Sequence, residues 1–133
     1  MTNYLGRKYK LVKSENFDDY MKALGVNMVL RKIGQVTSSS MQLLKNDDGS
    51  FTLRITSTWK NQDMIFRHGE EFDETTPDGR HCKTVMTLDE TTLTQVQKGP
   101  PDSTIVRTWS DDKIITVFTT GDVVCTRTHQ YVE

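Results

Sequence analysis

From Ser40 onward the chain is cut into short β-prone runs at nearly regular intervals, and nothing helical fits between them. The runs fall at about 40–46, 51–58, 62–67, 71–75, 80–88, 92–97, 104–109, 113–120 and 122–132. Turn residues separate them: 46–49 (Asn-Asp-Asp-Gly), His68-Gly69, 77–79 (Pro-Asp-Gly), 99–101 (Gly-Pro-Pro) and Gly121-Asp122. Even spacing and tight turns predict an antiparallel up-and-down meander. Of the 19 threonines, 18 lie at position 37 or later, which fits β-branched side chains on half-wet strands. With a first strand at 7–12 the count is about ten. An open sheet of that size leaves two costly edges, so closure into a barrel is favoured. About ten strands enclose an interior too wide for their own side chains to fill. A hydrophobic fraction of only 35% agrees with a cavity more than with a dense core.

Residues 14–35 break the pattern. Ser14 is a candidate helix cap, with Glu15, Asp18 and Asp19 near the N-terminus. Phe17, Tyr20, Met21 and Leu24 form an i, i+3, i+4, i+7 stripe. Gly25 stops that helix. Asn27 caps a second one, from Met28 to about Ile33, ended near Gly34. The expectation is a single 133-residue domain: an all-β, ten-stranded antiparallel barrel with a two-helix lid between its first two strands.

The last strand carries the most chemistry. Alternation puts Cys125, Arg127, His129 and Tyr131 on one face. A guanidinium, an imidazole and a phenol on one wall suit an anionic headgroup, because a guanidinium binds a carboxylate bidentately. Surface charge on an edge strand explains the same pattern. On 104–109, Ile105, Arg107 and Trp109 share a face.

Other classes find little support. The formal charge is −1, without the clustered basic face of a nucleic-acid binder. Cys82 and Cys125 are isolated and no Cys/His metal spacing exists, so neither a metal nor another cofactor is expected. No apolar run follows Met1, and none approaches the roughly 20 residues of a membrane span. A reduced, cytoplasmic monomer is the expectation. An enzyme needs a nucleophile–base pair. His68, His81 and His129 are scattered, His81 and Cys82 face opposite ways, and Cys125 and His129 lie too far apart for a hydrogen bond.

Six stretches resemble one family over the whole chain. They are 14–26 (SENFDDYMKALGV), 31–34 (RKIG), 57–60 (STWK), 69–80 (GEEFDETTPDGR), 93–99 (LTQVQKG) and 124–128 (VCTRT). In order and spacing they are similar to the intracellular lipid-binding proteins, which comprise fatty-acid-binding and cellular retinoid-binding proteins. Residues 6–11 (GRKYKL) resemble the insect and other invertebrate fatty-acid-binding type, as do Lys98-Gly99 and 104–107 (TIVR).

The resemblance implies a non-catalytic carrier that holds one or two long-chain fatty acids inside the barrel. Arg107 and Arg127 match the family's two carboxylate-binding arginines. His129 stands where the family has tyrosine. A neutral imidazole still donates one hydrogen bond and a protonated one two. If His129 touches the carboxylate, affinity responds to pH between about 5 and 8. Tyr131 shares the face but lies about 7 Å further along. Ser38-Ser39-Ser40 departs from the family's Lys-Pro. Candidates for the acyl-chain wall are Phe17, Tyr20, Met21, Leu24, Val26, Val36, Met41, Met64, Met86, Ile105 and Phe118, with Trp59 at the portal. The helix residues among them also serve as ordinary packing. Burying about ten methylenes supplies about 8 kcal/mol of gross affinity at 0.8 kcal/mol each.

Two further readings stand beside this one. A retinoid carrier shares the fold; retinoic acid uses the arginines, whereas retinol carriers replace them with neutral amides. Lys22, Arg31 and Lys32 make a small basic patch that fits transient contact with anionic membranes, and a solvated helix face fits it equally. A protein partner docking on the lid lacks an obvious exposed apolar helix face.

Overall fold

The computed structural model describes residues 4–133. Ten strands form one antiparallel sheet: β1 (Lys8–Glu15), β2 (Ser39–Lys45), β3 (Phe51–Ser57), β4 (Gln62–Phe66), β5 (Glu71–Thr75), β6 (His81–Asp89), β7 (Thr92–Lys98), β8 (Ser103–Trp109), β9 (Lys113–Thr120) and β10 (Val123–Val132). Helices α1 (Phe17–Ala23) and α2 (Met28–Val36) lie between β1 and β2. The order is β4-β3-β2-β1-β10-β9-β8-β7-β6-β5. The chain therefore meanders, except that β1 joins β10. β4 and β5 share no ladder, so the barrel is nearly closed with one unpaired seam. Across that seam Gln95 on β7 reaches Met64 on β4, Nε2 to Sδ 3.8 Å.

The first strand runs further than expected. Its register against β10 shifts between Leu11 and Lys13. This bulge turns Val12 out to 61% exposure and lets β1 continue to Glu15. Ser14 therefore does not cap α1. It lies in β1 opposite Arg127, and the cap position belongs to Asn16 in the left-handed region (φ 66°). Asn27 does cap α2: its Oδ1 accepts from the Leu30 amide at 2.9 Å. Gly25 ends the first helix at φ +86°, a conformation only glycine adopts without strain.

Two apolar clusters bracket the barrel interior. Tyr9, Leu43, Leu53, Met86, Leu93, Trp109 and Ile114 belong to the cluster at the end away from the helices. Tyr20, Met21, Leu24, Val26 and Cys125 form the other under α1, with Phe17, Leu30, Phe118 and Val123 packed against them. Arg31 staples the helices: its Nε pairs with Asp18 Oδ1 at 3.0 Å and its Nη1 donates to the Val26 carbonyl at 3.0 Å. It is thus committed to an internal pair and does not join Lys22 and Lys32 in a free basic patch. The expectation that the lid shows no apolar face is also corrected. Met28, Val29 and Val36 of α2 are 60%, 69% and 83% exposed. Among the described residues no helix is long and apolar enough to cross a membrane.

Candidate ligand-binding site

Strand register sets the site. Pairing of β8, β9 and β10 aligns Arg107, Thr116 and Arg127 in one row across three strands. The row on the lid side is Ile105, Phe118 and Cys125; the row on the far side is Trp109, Ile114 and His129. A guanidinium–hydroxyl–guanidinium row therefore lies between an apolar row on the lid side and, on the far side, two apolar side chains with the His129 imidazole. The cavity in front of it holds about 430 Å³, within the range of small-molecule sites.

Arg107 is 3% exposed. Its Nη1 donates to Gln95 Oε1 at 2.6 Å, while its Nε has no partner. Burial pushes its pKa down to about 10, against the opposing pull of Glu74. Arg127 donates from Nε to Ser14 Oγ at 3.2 Å and lies over the Phe17 ring at 4.0 Å. Burial lowers its pKa as well.

His129 is 3% exposed; its Nε2 is 3.4 Å from Ser39 Oγ and its Nδ1 is unpaired. Burial, then Arg127 and Arg107, push its pKa down to about 3. The imidazole is therefore neutral from pH 5 to 8, so His129 does not carry the titration expected there. Tyr131 does not replace the missing phenol. It packs against Tyr9 at 5.6 Å and under the Arg7 guanidinium at 4.5 Å, away from the cavity.

Of the apolar candidates, Phe17, Tyr20, Met21, Leu24, Val26, Met41, Trp59, Met64, Ile105 and Phe118 line the cavity. Two do not. Val36 projects into solvent, because Leu30, Gly34 and Thr37 are the α2 residues on the cavity side and Val36 lies on the other face of the helix. Met86 is fully buried among the core side chains at the far end. Strand parity placed Met86 on the correct face but not at the correct depth. Cys125 is fully buried and its thiol is pushed up to about 11, so it is no thiolate at neutral pH. Among the described residues no cluster of three metal-ligating side chains occurs.

Several polar lining residues escaped the sequence reading. Glu74, 6% exposed, accepts through Oε1 from Thr84 Oγ1 (2.8 Å), Gln95 Nε2 (3.0 Å) and Gln97 Nε2 (3.1 Å). Arg80 and Asp78 form a half-buried pair at 3.0 Å. Behind the cavity lining, between the two arginines of the row, the Thr116 hydroxyl is buried with no partner. A signal existed for the glutamines: Gln95 and Gln97 share strand parity with Leu93, so they face the interior. Thr116 shares strand parity with Phe118 in the same way, but its place between the two arginines and the partners of Glu74 are set by cross-strand register.

A barrel around a largely apolar cavity with one charged wall defines a protein that holds a small ligand inside itself. The chain belongs to the lipocalin / cytosolic fatty-acid binding protein family, which it matches over residues 5–132. It is 43% identical, over 97% of both chains, to the sodium/calcium exchanger regulatory protein 1 of Doryteuthis pealeii. A fatty-acid-binding protein from brain tissue of Drosophila melanogaster is 48% identical, with TM-score 0.92 over 96% of this chain and 99% of that one. A Schistosoma mansoni fatty-acid-binding protein solved in complex with arachidonic acid is 38% identical, with TM-score 0.93 over 100% and 98%.

Proposed function

We propose that the protein is a non-catalytic cytoplasmic carrier, monomeric, that binds one long-chain fatty acid with its carboxylate between Arg107 and Arg127. The observation that carries this reading is charge. Arg80 is cancelled by Asp78, and Lys60 sits at the exposed rim, with its Nζ 3.3 Å from the Pro77 carbonyl. Arg107 feels the Glu74 carboxylate, whereas Arg127 has Ser14 and the Phe17 ring beside it, so among the described lining residues one positive charge of the wall has no carboxylate partner. One ligand carboxylate neutralises it. A neutral retinol leaves it standing in a low-dielectric interior, which is costly.

The orphaned donors agree with an anionic occupant. Arg107 Nε and the Thr116 hydroxyl lack partners, and they lie on the row where a carboxylate bridging the two arginines would sit. Neutral His129 supplies one further donor or acceptor, depending on its tautomer. Phe17, Met21, Ile105 and Phe118 offer the acyl chain an apolar wall, and methionine adapts to its shape.

Native mass spectrometry of the protein as purified, followed by organic extraction, tests this. A single co-purified long-chain fatty acid is expected. An empty protein that ignores added fatty acids and takes up retinol overturns the two-arginine site.

Transfer at a membrane is a second element of the reading. It is supported by the exposed Met28, Val29 and Val36 of α2, with Lys32 on the same helix. Ligand transfer to anionic vesicles is expected to slow in Val29→Ser. An unchanged rate removes α2 from the transfer step.

A further inference from the structure

Glu74 is the buried charged group that a plain fatty acid does not use. Three donors converge on its Oε1; Oε2 has no donor among the described residues, and Glu74 lines the cavity. Beside it, Gln97 commits its amide nitrogen to Glu74, which fixes its orientation and leaves Oε1 buried without a donor. Gln95 is locked likewise, accepting from Arg107 and donating to Glu74. The β5–β7 wall thus presents two acceptors that want a proton donor, where the Arg107–Thr116–Arg127 row presents donors that want an acceptor.

Gln97 Oε1 is buried without a donor, and a methylene chain laid against Glu74 Oε2 would seal that oxygen from water as well; both are unfavourable. A hydroxyl on the chain donates to Glu74 in a charge-assisted bond, the stronger kind. The place is right for a substituent on a fatty acid, because one side-chain amide, that of Gln95, separates Glu74 from Arg107. We propose that Glu74 and Gln97 form a hydroxyl-binding subsite, and that the cavity selects fatty acids hydroxylated along the chain over acids bearing an acceptor-only group at the same carbon. This deepens the carrier reading and rests on it.

The test uses matched pairs of C18 acids, hydroxy against keto, with the group stepped along successive carbons, and the unsubstituted acid as reference. Kd is measured by calorimetry on the delipidated full chain. Both members have the same carboxylate, so their ratio cancels the headgroup. At least one pair is expected to favour the hydroxy acid by about tenfold, the scale of one charge-assisted hydrogen bond. In Glu74→Gln the same three donors hold the amide oxygen at the Oε1 position and turn the NH₂ toward the open side. The preference should fall below about twofold or reverse toward the ketone.

If every pair binds the parent without preference, the wall holds only water and the proposal fails while the fatty-acid reading stands. If the preference survives unchanged in Glu74→Gln, the hydroxyl is read elsewhere and the proposal fails. If the unsubstituted acid does not bind at all, the carrier reading falls and takes the subsite with it. Should Glu74→Gln not fold, Gln97→Met takes its place, and a hydroxy preference that survives there unchanged overturns the proposal.

Discussion

Arg107→Met separates a ligand-holding arginine from a structural one, because the two roles predict opposite changes in stability. The guanidinium is 3% exposed and burial holds its pKa down to about 10. At 1.36 kcal/mol per pKa unit, the penalty for keeping it charged is on the order of 3 kcal/mol. A base whose folded pKa is depressed is less protonated folded than unfolded. The penalty is therefore full at neutral pH and fades only as pH climbs past about 10. Methionine keeps the stem and removes the charge, but leaves Gln95 Oε1 without its donor, a loss of about 1–2 kcal/mol. The empty variant should be as stable as the parent or gain about 1–2 kcal/mol. Urea unfolding of delipidated protein reads this as an unchanged or higher midpoint at constant m. Fatty-acid affinity should drop by about 30-fold, from roughly 2 kcal/mol of charge-assisted bonding. A variant that loses more than about 2 kcal/mol of stability while binding as tightly as the parent refutes the reasoning. Arg107 would then be holding the barrel together and not the ligand.

Three further outcomes are expected. His129, held neutral down to about 3, stays unprotonated while the unfolded chain takes up its proton below about 6.5, so stability falls as pH drops. From pH 6.5 to 5 its share is about 2 kcal/mol, and His129→Gln should flatten that part of a pH-unfolding series. Thr116→Val keeps the shape and removes the orphaned hydroxyl. It should leave the melting temperature unchanged or raised while weakening fatty-acid binding by about five- to tenfold in a displacement assay. Gly99→Ala puts a Cβ 2.8 Å from the His81 carbonyl and 3.3 Å from Cys82 Cα, where only backbone can move. It should destabilise by about 1–3 kcal/mol in thermal unfolding, with fatty-acid affinity little changed.

What was legible in the chain was local or periodic. The strand runs were readable because each is bounded by its own turn residues; the turn at Asn46, for example, closes through the Ser50 carbonyl at 2.8 Å with Gly49 at φ +86°. The α1 stripe of Phe17, Tyr20, Met21 and Leu24 packs under the lid because a 3.6-residue period fixes one face. Parity put Arg127 and His129 on one face of the last strand and Arg107 with Ile105 and Trp109 on one face of β8; the family resemblance, not parity, turned those faces inward. Ser14 was misplaced because a bulge obeys cross-strand register, not local propensity. Met86 was misplaced because period gives a face and not a depth, and Val36 because it lies off the Leu30, Gly34 and Thr37 face of α2.

By itself the sequence determined the element order, the antiparallel connectivity and which residues share each strand face, since these follow from turn chemistry and alternation along the chain. Only the tertiary structure decided which inward residues share a row. Thr116 stands between two arginines, and Glu74 meets Thr84, Gln95 and Gln97, through strand pairing over tens of residues. Burial then settled the charge states that no local pattern reveals, because the dielectric around Arg107 and His129 depends on every strand that closes over them.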